Sequence, residues 1–187
     1  MSQLLATLRY RRAELLRMQG KPADALALYR QVEAVYVQTY GKQNTAVATC
    51  WNSQAEMLRL LGRPAEALTL HDQAIQAFVA VAGERHPYVA TALQARGTTR
   101  QALGDYQGAQ ADFRAAYDMD VAALGKTHPW TATLANNLAE IERALGHPQA
   151  AAALFTSAVA TPRAAQPARW AGSSSGLAST VVGASRA

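Results

Sequence analysis

Cysteine, aromatic side chains and long apolar runs are all scarce in this chain of 187 residues, and each shortage removes a class of explanation. The single cysteine, Cys50, has no partner for an internal disulfide, so nothing depends on an oxidising compartment. Aromatics make up 7% of the residues, and strand-length alternation of Val, Ile, Thr and Tyr is almost absent, which leaves little material for a sheet. No run approaches the roughly 18 uninterrupted apolar residues of a membrane span. The first turns carry Arg9, Arg11, Arg12, Glu14 and Arg17 where a signal peptide would carry an apolar core. A cytoplasmic chain with no membrane partner is expected.

Catalytic constellations are missing as well. There is no His-Glu-x-x-His, no Cys-x-x-Cys and no Gly-rich phosphate loop, and Cys50 has no histidine near it in sequence. His71 falls inside a helical segment, while His86, His128 and His147 fall in turns. His86 and His128 each precede a proline, the pattern of a helix cap, so capping is preferred over metal ligation for both. No catalytic residue, metal or cofactor is expected. The formal net charge of +5 suggests nucleic acid only until it is divided. Residues 1–21 carry +4, residues 161–187 carry +3, and the body between them carries −2. Arg9, Arg11, Arg12 and Arg17 around Tyr10 could touch phosphate, but a solvated terminal helix explains them as well, and nucleic acid is not the expected partner.

What the chain does have is a period. Gly20, Gly62, Gly104 and Gly146 are 42 residues apart, and Gly41, Gly83 and Gly125 form a second ladder with the same spacing. Each glycine of the first ladder reads as a helix stop followed by a helix start, with Pro22, Pro64 and Pro148 in the first turn of the next helix and Tyr106 in their place in the third copy. The second ladder opens Gly-x-x-His-Pro linkers at His86-Pro87 and His128-Pro129. The chain thus resolves into A helices near 3–19, 45–61, 87–103 and 129–145, alternating with B helices near 22–40, 64–82, 106–124 and 148–160. Alanines 67, 109 and 151 mark where the two helices of a hairpin cross closely, with Trp51, Leu58, Phe78, Phe113, Leu138 and Phe155 filling the spaces between.

Gly97, Tyr106, Ala109, Phe113 and Ala116 in the third copy, and Leu138, Ala139, Ala151, Phe155 and Ala158 in the fourth, carry a resemblance to the tetratricopeptide repeat. The period, the Gly-x-x-His-Pro linker and the stretch Leu134-Ala-Asn-Asn-Leu-Ala139 look like the longer repeats of the kinesin light chain type. The resemblance implies an all-α protein: a right-handed α-solenoid of four antiparallel helix hairpins with an irregular C-terminal tail. The repeats fall at about 3–44, 45–86, 87–128 and 129–161 within an array spanning 1–161, and residues 162–187 form a flexible, basic Ala/Ser/Gly-rich tail.

The resemblance also implies that the A helices line a concave surface that binds a peptide or helix of another protein. Counting back 13, 10, 6 and 3 places from each stop glycine gives one stripe per A helix. It reads Thr7, Tyr10, Glu14, Arg17; then Thr49, Asn52, Glu56, Arg59; then Thr91, Gln94, Thr98, Gln101; then Thr133, Asn136, Glu140, Arg143. Asn52, Gln94 and Asn136 form a ladder of amides, each able to donate and accept, as a peptide backbone requires. Arg17, Arg59 and Arg143 would favour acidic groups in the partner. The bland alternative is that Glu14 with Arg17, Glu56 with Arg59, and Glu140 with Arg143 are ordinary i, i+3 pairs on a solvated face.

The tail leaves a capping problem. Leu154, Phe155 and Val159 on the last B helix would stay partly exposed unless the tail folds back, with Trp170 as anchor, or a partner or second copy covers them. In register, Leu177 and Val181 would sit on a fifth A helix, but Gly172, Gly176 and Gly183 disfavour it. The alternative function is therefore structural: self-association through uncapped terminal helices, in particular a homo-oligomer through the C-terminal end, or service as a piece of a larger signalling scaffold.

Overall fold

A computed structural model describes residues 3–159. The expectations for residues 160–187, including Trp170, Leu177 and Val181, lie outside the described residues. Within them are eight helices: α1 Gln3–Met18, α2 Pro22–Tyr40, α3 Thr45–Leu60, α4 Pro64–Ala82, α5 Pro87–Ala102, α6 Tyr106–Leu124, α7 Pro129–Ala144 and α8 Pro148–Val159. Each agrees with its sequence-derived range to within a residue or so.

The boundaries follow from the two glycine ladders. At every A-helix end the glycine has positive φ, from 69° to 81°, and the next residue closes back on the helix. The N–H groups of Lys21, Arg63, Asp105 and His147 donate to the carbonyls of Leu16, Leu58, Arg100 and Glu142 at 2.9, 2.9, 3.0 and 2.9 Å. These are Schellman closures, which satisfy carbonyls the helix end would leave bare. The missing proline of the third copy is compensated: Asp105 Oδ1 accepts from the Gly108 N–H at 2.9 Å, whereas Lys21 and Arg63 before their prolines make no side-chain cap. Asn44, His86 and His128 cap the following A helices by accepting from the N–H groups of Ala46, Tyr88 and Trp130. The two histidines are therefore caps, as their position before proline suggested.

Packing repeats with the sequence. Every helix lies against its neighbours in the chain, and α3 also meets α5, so the hairpins stack into an α-solenoid. Ala67, Ala109 and Ala151 are buried at the hairpin crossings. The closeness is visible at Gly97, where an added Cβ would sit 2.9 Å from Cε1 of Phe113. Trp51, Leu58, Phe78, Phe113 and Leu138 are buried as expected, but Phe155 is 36% exposed because no described element packs over α8.

The core is not uniformly apolar. At α5 polar groups lie in register with leucines of other repeats. Arg96 bonds Asp112 through Nε at 2.9 Å and Nη2 at 2.6 Å, and Asp72 through Nη1 at 2.6 Å, while Arg100 Nη1 reaches Asp112 at 3.0 Å. Asp112 is buried, so two guanidinium groups hold its charge. One repeat on from Arg96 stands Leu138, and the other residues in the register of Asp112 are Leu28, Leu70 and Leu154.

Candidate functional site

The four A-helix stripes do not lie equally open. In α3 every side chain from Ala46 to Ala55 is buried, among them Thr49 and Asn52. Tyr10 on α1 is buried too. The sequence pattern marks these three as groove residues, and the structure encloses them. The next repeat packs over the stripe: α3 is flanked by α2, α4 and α5, whereas the main neighbours of α7 among the described residues are α6 and α8.

Asn52 shows what enclosure does to the amide ladder. It is 2% exposed, and its Oδ1 lies 2.7 Å from Nδ1 of His71 on α4. The other imidazole nitrogen, Nε2, lies 3.2 Å from Oγ1 of Thr99 on α5. A neutral imidazole donates from Nδ1 to Asn52, while Nε2 faces the Thr99 hydroxyl, whose single proton also points at the Ala95 carbonyl 3.1 Å away. Burial, with the nearby Arg96 charge adding to it, lowers the His71 pKa from 6.5 to about 3, so the ring stays uncharged. The equivalent pair one repeat earlier is Tyr10 and Tyr29, whose rings meet edge to face at 5.4 Å. This position thus joins the two helices of a hairpin, by an aromatic contact in one repeat and a hydrogen bond in the next. With its oxygen on His71 and its side chain enclosed, Asn52 presents no open amide to a peptide.

The threonines that open each stripe are also committed. Thr7, Thr49, Thr91 and Thr133 donate their hydroxyl to the carbonyl four residues back, on Gln3, Thr45, Pro87 and Pro129, at 3.1, 2.7, 3.0 and 3.0 Å. Their helical spacing was visible in the sequence; the use of their hydroxyls was not.

The acidic and basic members pair as the bland alternative held for two of the three repeats. Arg17 Nη2 lies 3.3 Å from Glu14, which also accepts from the Tyr29 hydroxyl. Arg59 grips Glu56 with both Nε, at 2.9 Å, and Nη2, at 2.7 Å. No such pair occurs at the fourth, where Asn136, Glu140 and Arg143 are all exposed. Gln94, Thr98 and Gln101 on the neighbouring α5 are half-buried, as are the paired Glu14, Arg17, Glu56 and Arg59. The A face is therefore most open on α7.

Among the described residues no group of histidine, cysteine and carboxylate side chains is arranged to hold a metal ion, and no helix is long and apolar enough to cross a membrane. Cys50 is buried, and burial raises its thiol pKa well above normal, which keeps it a thiol rather than a nucleophilic thiolate. Tyr10, enclosed between α1, α2 and α3, offers no ring for stacking beside the α1 arginines.

Solved structures of the same architecture exist. BtubC (BKLC) from P. vanneervenii superposes with a TM-score of 0.77 at 21% identity, over 89% of this chain and 68% of that one. A kinesin light chain protein of nearly identical TPR-like repeats from Podosopora anserina gives 0.77 at 22% identity, over 91% and 82% of the two chains. MamA gives 0.60 at 13% identity, over 82% and 76%. At these identities the likeness is one of fold, and no curated protein sequence matches. A tetratricopeptide repeat model matches residues 4–78, 48–120 and 88–164 in overlapping register. Residue periodicity, Schellman closures, alanine crossings and sequence match agree: the chain belongs to the tetratricopeptide repeat family, with a fold like that of the kinesin light chain-type repeat structures.

Proposed function

We propose that this protein binds a peptide or helix of another protein in the cytoplasm through the A-helix face of its third and fourth repeats. Tetratricopeptide repeats are protein-interaction units, and that general role is the starting point. The observation that carries the narrower reading is the opening of the face along the array. Asn136, Glu140 and Arg143 stand in solvent, whereas Thr49, Asn52 and Tyr10 are enclosed. Asn136 supplies a donor and an acceptor for main chain, and Gln94 lies one repeat away on the same stripe. Arg143 makes an acidic group in the ligand favourable, while Arg17 and Arg59 already hold their own glutamates.

Site-specific photo-crosslinking tests this reading. A crosslinker at position 136 should trap a partner in cells of the source organism, one at the exposed B-helix position 76 should not, and Arg143→Glu should reduce the yield at 136. Equal crosslinking from 136 and 76, or indifference to Arg143→Glu, would remove the A face from the function.

A further inference from the structure

Helix α1 exposes an apolar face that its three counterparts hide. Leu5, Leu8 and Leu15 are 41%, 58% and 58% exposed. In the later repeats the same positions are Val47, Val89 and Thr131, then Cys50, Ala92 and Leu134, then Met57, Thr99 and Ile141, and none of these nine is more than 4% exposed. Among the described residues each of these later faces is covered by a B helix, α2 on α3, α4 on α5 and α6 on α7, and no described helix occupies that place on α1. His71 of α4, for example, reaches Thr99 of α5 at 3.2 Å. The internal interfaces thus define what covers such a face, a B-type amphipathic helix.

They also define its charge. Gln54 Nε2 donates to Glu33 of α2 at 2.6 Å, and Arg96 Nη1 donates to Asp72 of α4 at 2.6 Å. Gln54 and Arg96 both stand at the position that Arg12 holds in α1. Arg12 is exposed and enters no ion pair among the described residues. Two of three interfaces therefore place a carboxylate of the covering helix on this position. A second copy of the chain fits less well, because α8 has no acidic residue and carries Thr156 where α4 carries Asp72.

We propose that the α1 face is a second interaction surface, docking an acidic amphipathic helix of another protein as α4 docks on α5. Its leucines would meet the apolar stripe of that helix and Arg12 its carboxylate. This surface is separate from the A face of the third and fourth repeats.

The test uses the full chain and two synthetic peptides, the α4 sequence of residues 64–82 and the same peptide with Asp72→Lys, titrated by fluorescence anisotropy. The Asp72 peptide should bind. Leu8→Asp and Leu15→Asp should each weaken it by more than about tenfold without lowering the melting temperature, because both side chains are exposed. Arg12→Glu should weaken the Asp72 peptide about threefold and strengthen the Lys peptide by about as much, the scale of a solvent-accessible ion pair. Absence of binding at millimolar peptide, or binding indifferent to Leu8→Asp, would overturn the proposal. So would sedimentation showing a dimer lost in Leu15→Asp, which makes a second copy the occupant. Displacement of the peptide by phosphatidylserine vesicles would make the face a membrane contact instead.

Discussion

The imidazole of His71 is anchored to the amide of Asn52, Nδ1 to Oδ1 at 2.7 Å, inside the hairpin where the preceding repeat has two tyrosine rings. The bond turns a residue that resembles a ligand clamp into part of the core, and it makes the stability of the second repeat depend on a buried neutral histidine.

Acid should expose that dependence. The folded His71 pKa, lowered to about 3, lies below the unfolded value near 6.5, so the unfolded chain takes up the proton first. The His71 contribution is complete above pH 6.5 and drains away as pH falls toward 3. Between pH 7.5 and 4.5 it should lose about 2–3 kcal/mol. Urea unfolding of wild type and His71→Phe at both pH values measures it. The variant should lose less stability on acidification by that amount, and parallel losses in the two proteins would contradict the assignment.

Asn52→Ala should destabilise and Asn136→Ala should not. The first leaves a buried imidazole N–H without an acceptor and a void beside it, a cost of about 2–4 kcal/mol. The second trims an exposed side chain and should stay within about 0.5 kcal/mol. Thermal melting of the two single variants separates these outcomes. Loss of partner binding in Asn52→Ala therefore reports on folding, and only Asn136→Ala reports on the A face.

The charged cluster at α5 should be replaceable as a unit but not in part. Arg96→Leu removes the bidentate partner of buried Asp112 and should cost about 2–4 kcal/mol. Arg96→Leu with Asp112→Leu restores the residue types found in register at Leu138, Leu28 and Leu70, and should recover most of the loss. A double-mutant cycle in urea gives the coupling directly. Additive losses would show that the leucine register does not extend to this repeat.

Gly97→Ala places two opposing effects on one atom. Alanine favours a helix over glycine by about 1 kcal/mol, but the new Cβ would lie 2.9 Å from the ring of Phe113, which is fully buried. Overpacking of this kind costs about 1–3 kcal/mol, so a net loss is expected. Gly97→Ala combined with Phe113→Leu should recover the part due to the ring. A more stable single variant would mean that the hairpin opens without cost.

The helices and their ends were legible in the sequence because their signals are local. A left-handed glycine, a proline in a first turn and a histidine before it act within one turn of chain, and the 42-residue period repeats each signal. The stripe positions were legible for the same reason, since helical spacing alone places Thr7, Tyr10, Glu14 and Arg17 on one face.

Whether a face is open is not a local property, and the tertiary structure decided it. Asn52 and Asn136 occupy the same step of the same repeat, yet one is enclosed and the other stands in solvent, because α5 and His71 pack over the first and no described helix follows to cover the second. The same reasoning separates Leu8 from Cys50 and Leu134, and Phe155 from Phe113. In a stacked array the sequence determines what each repeat presents, and the neighbouring repeat determines how much of it remains available to a partner.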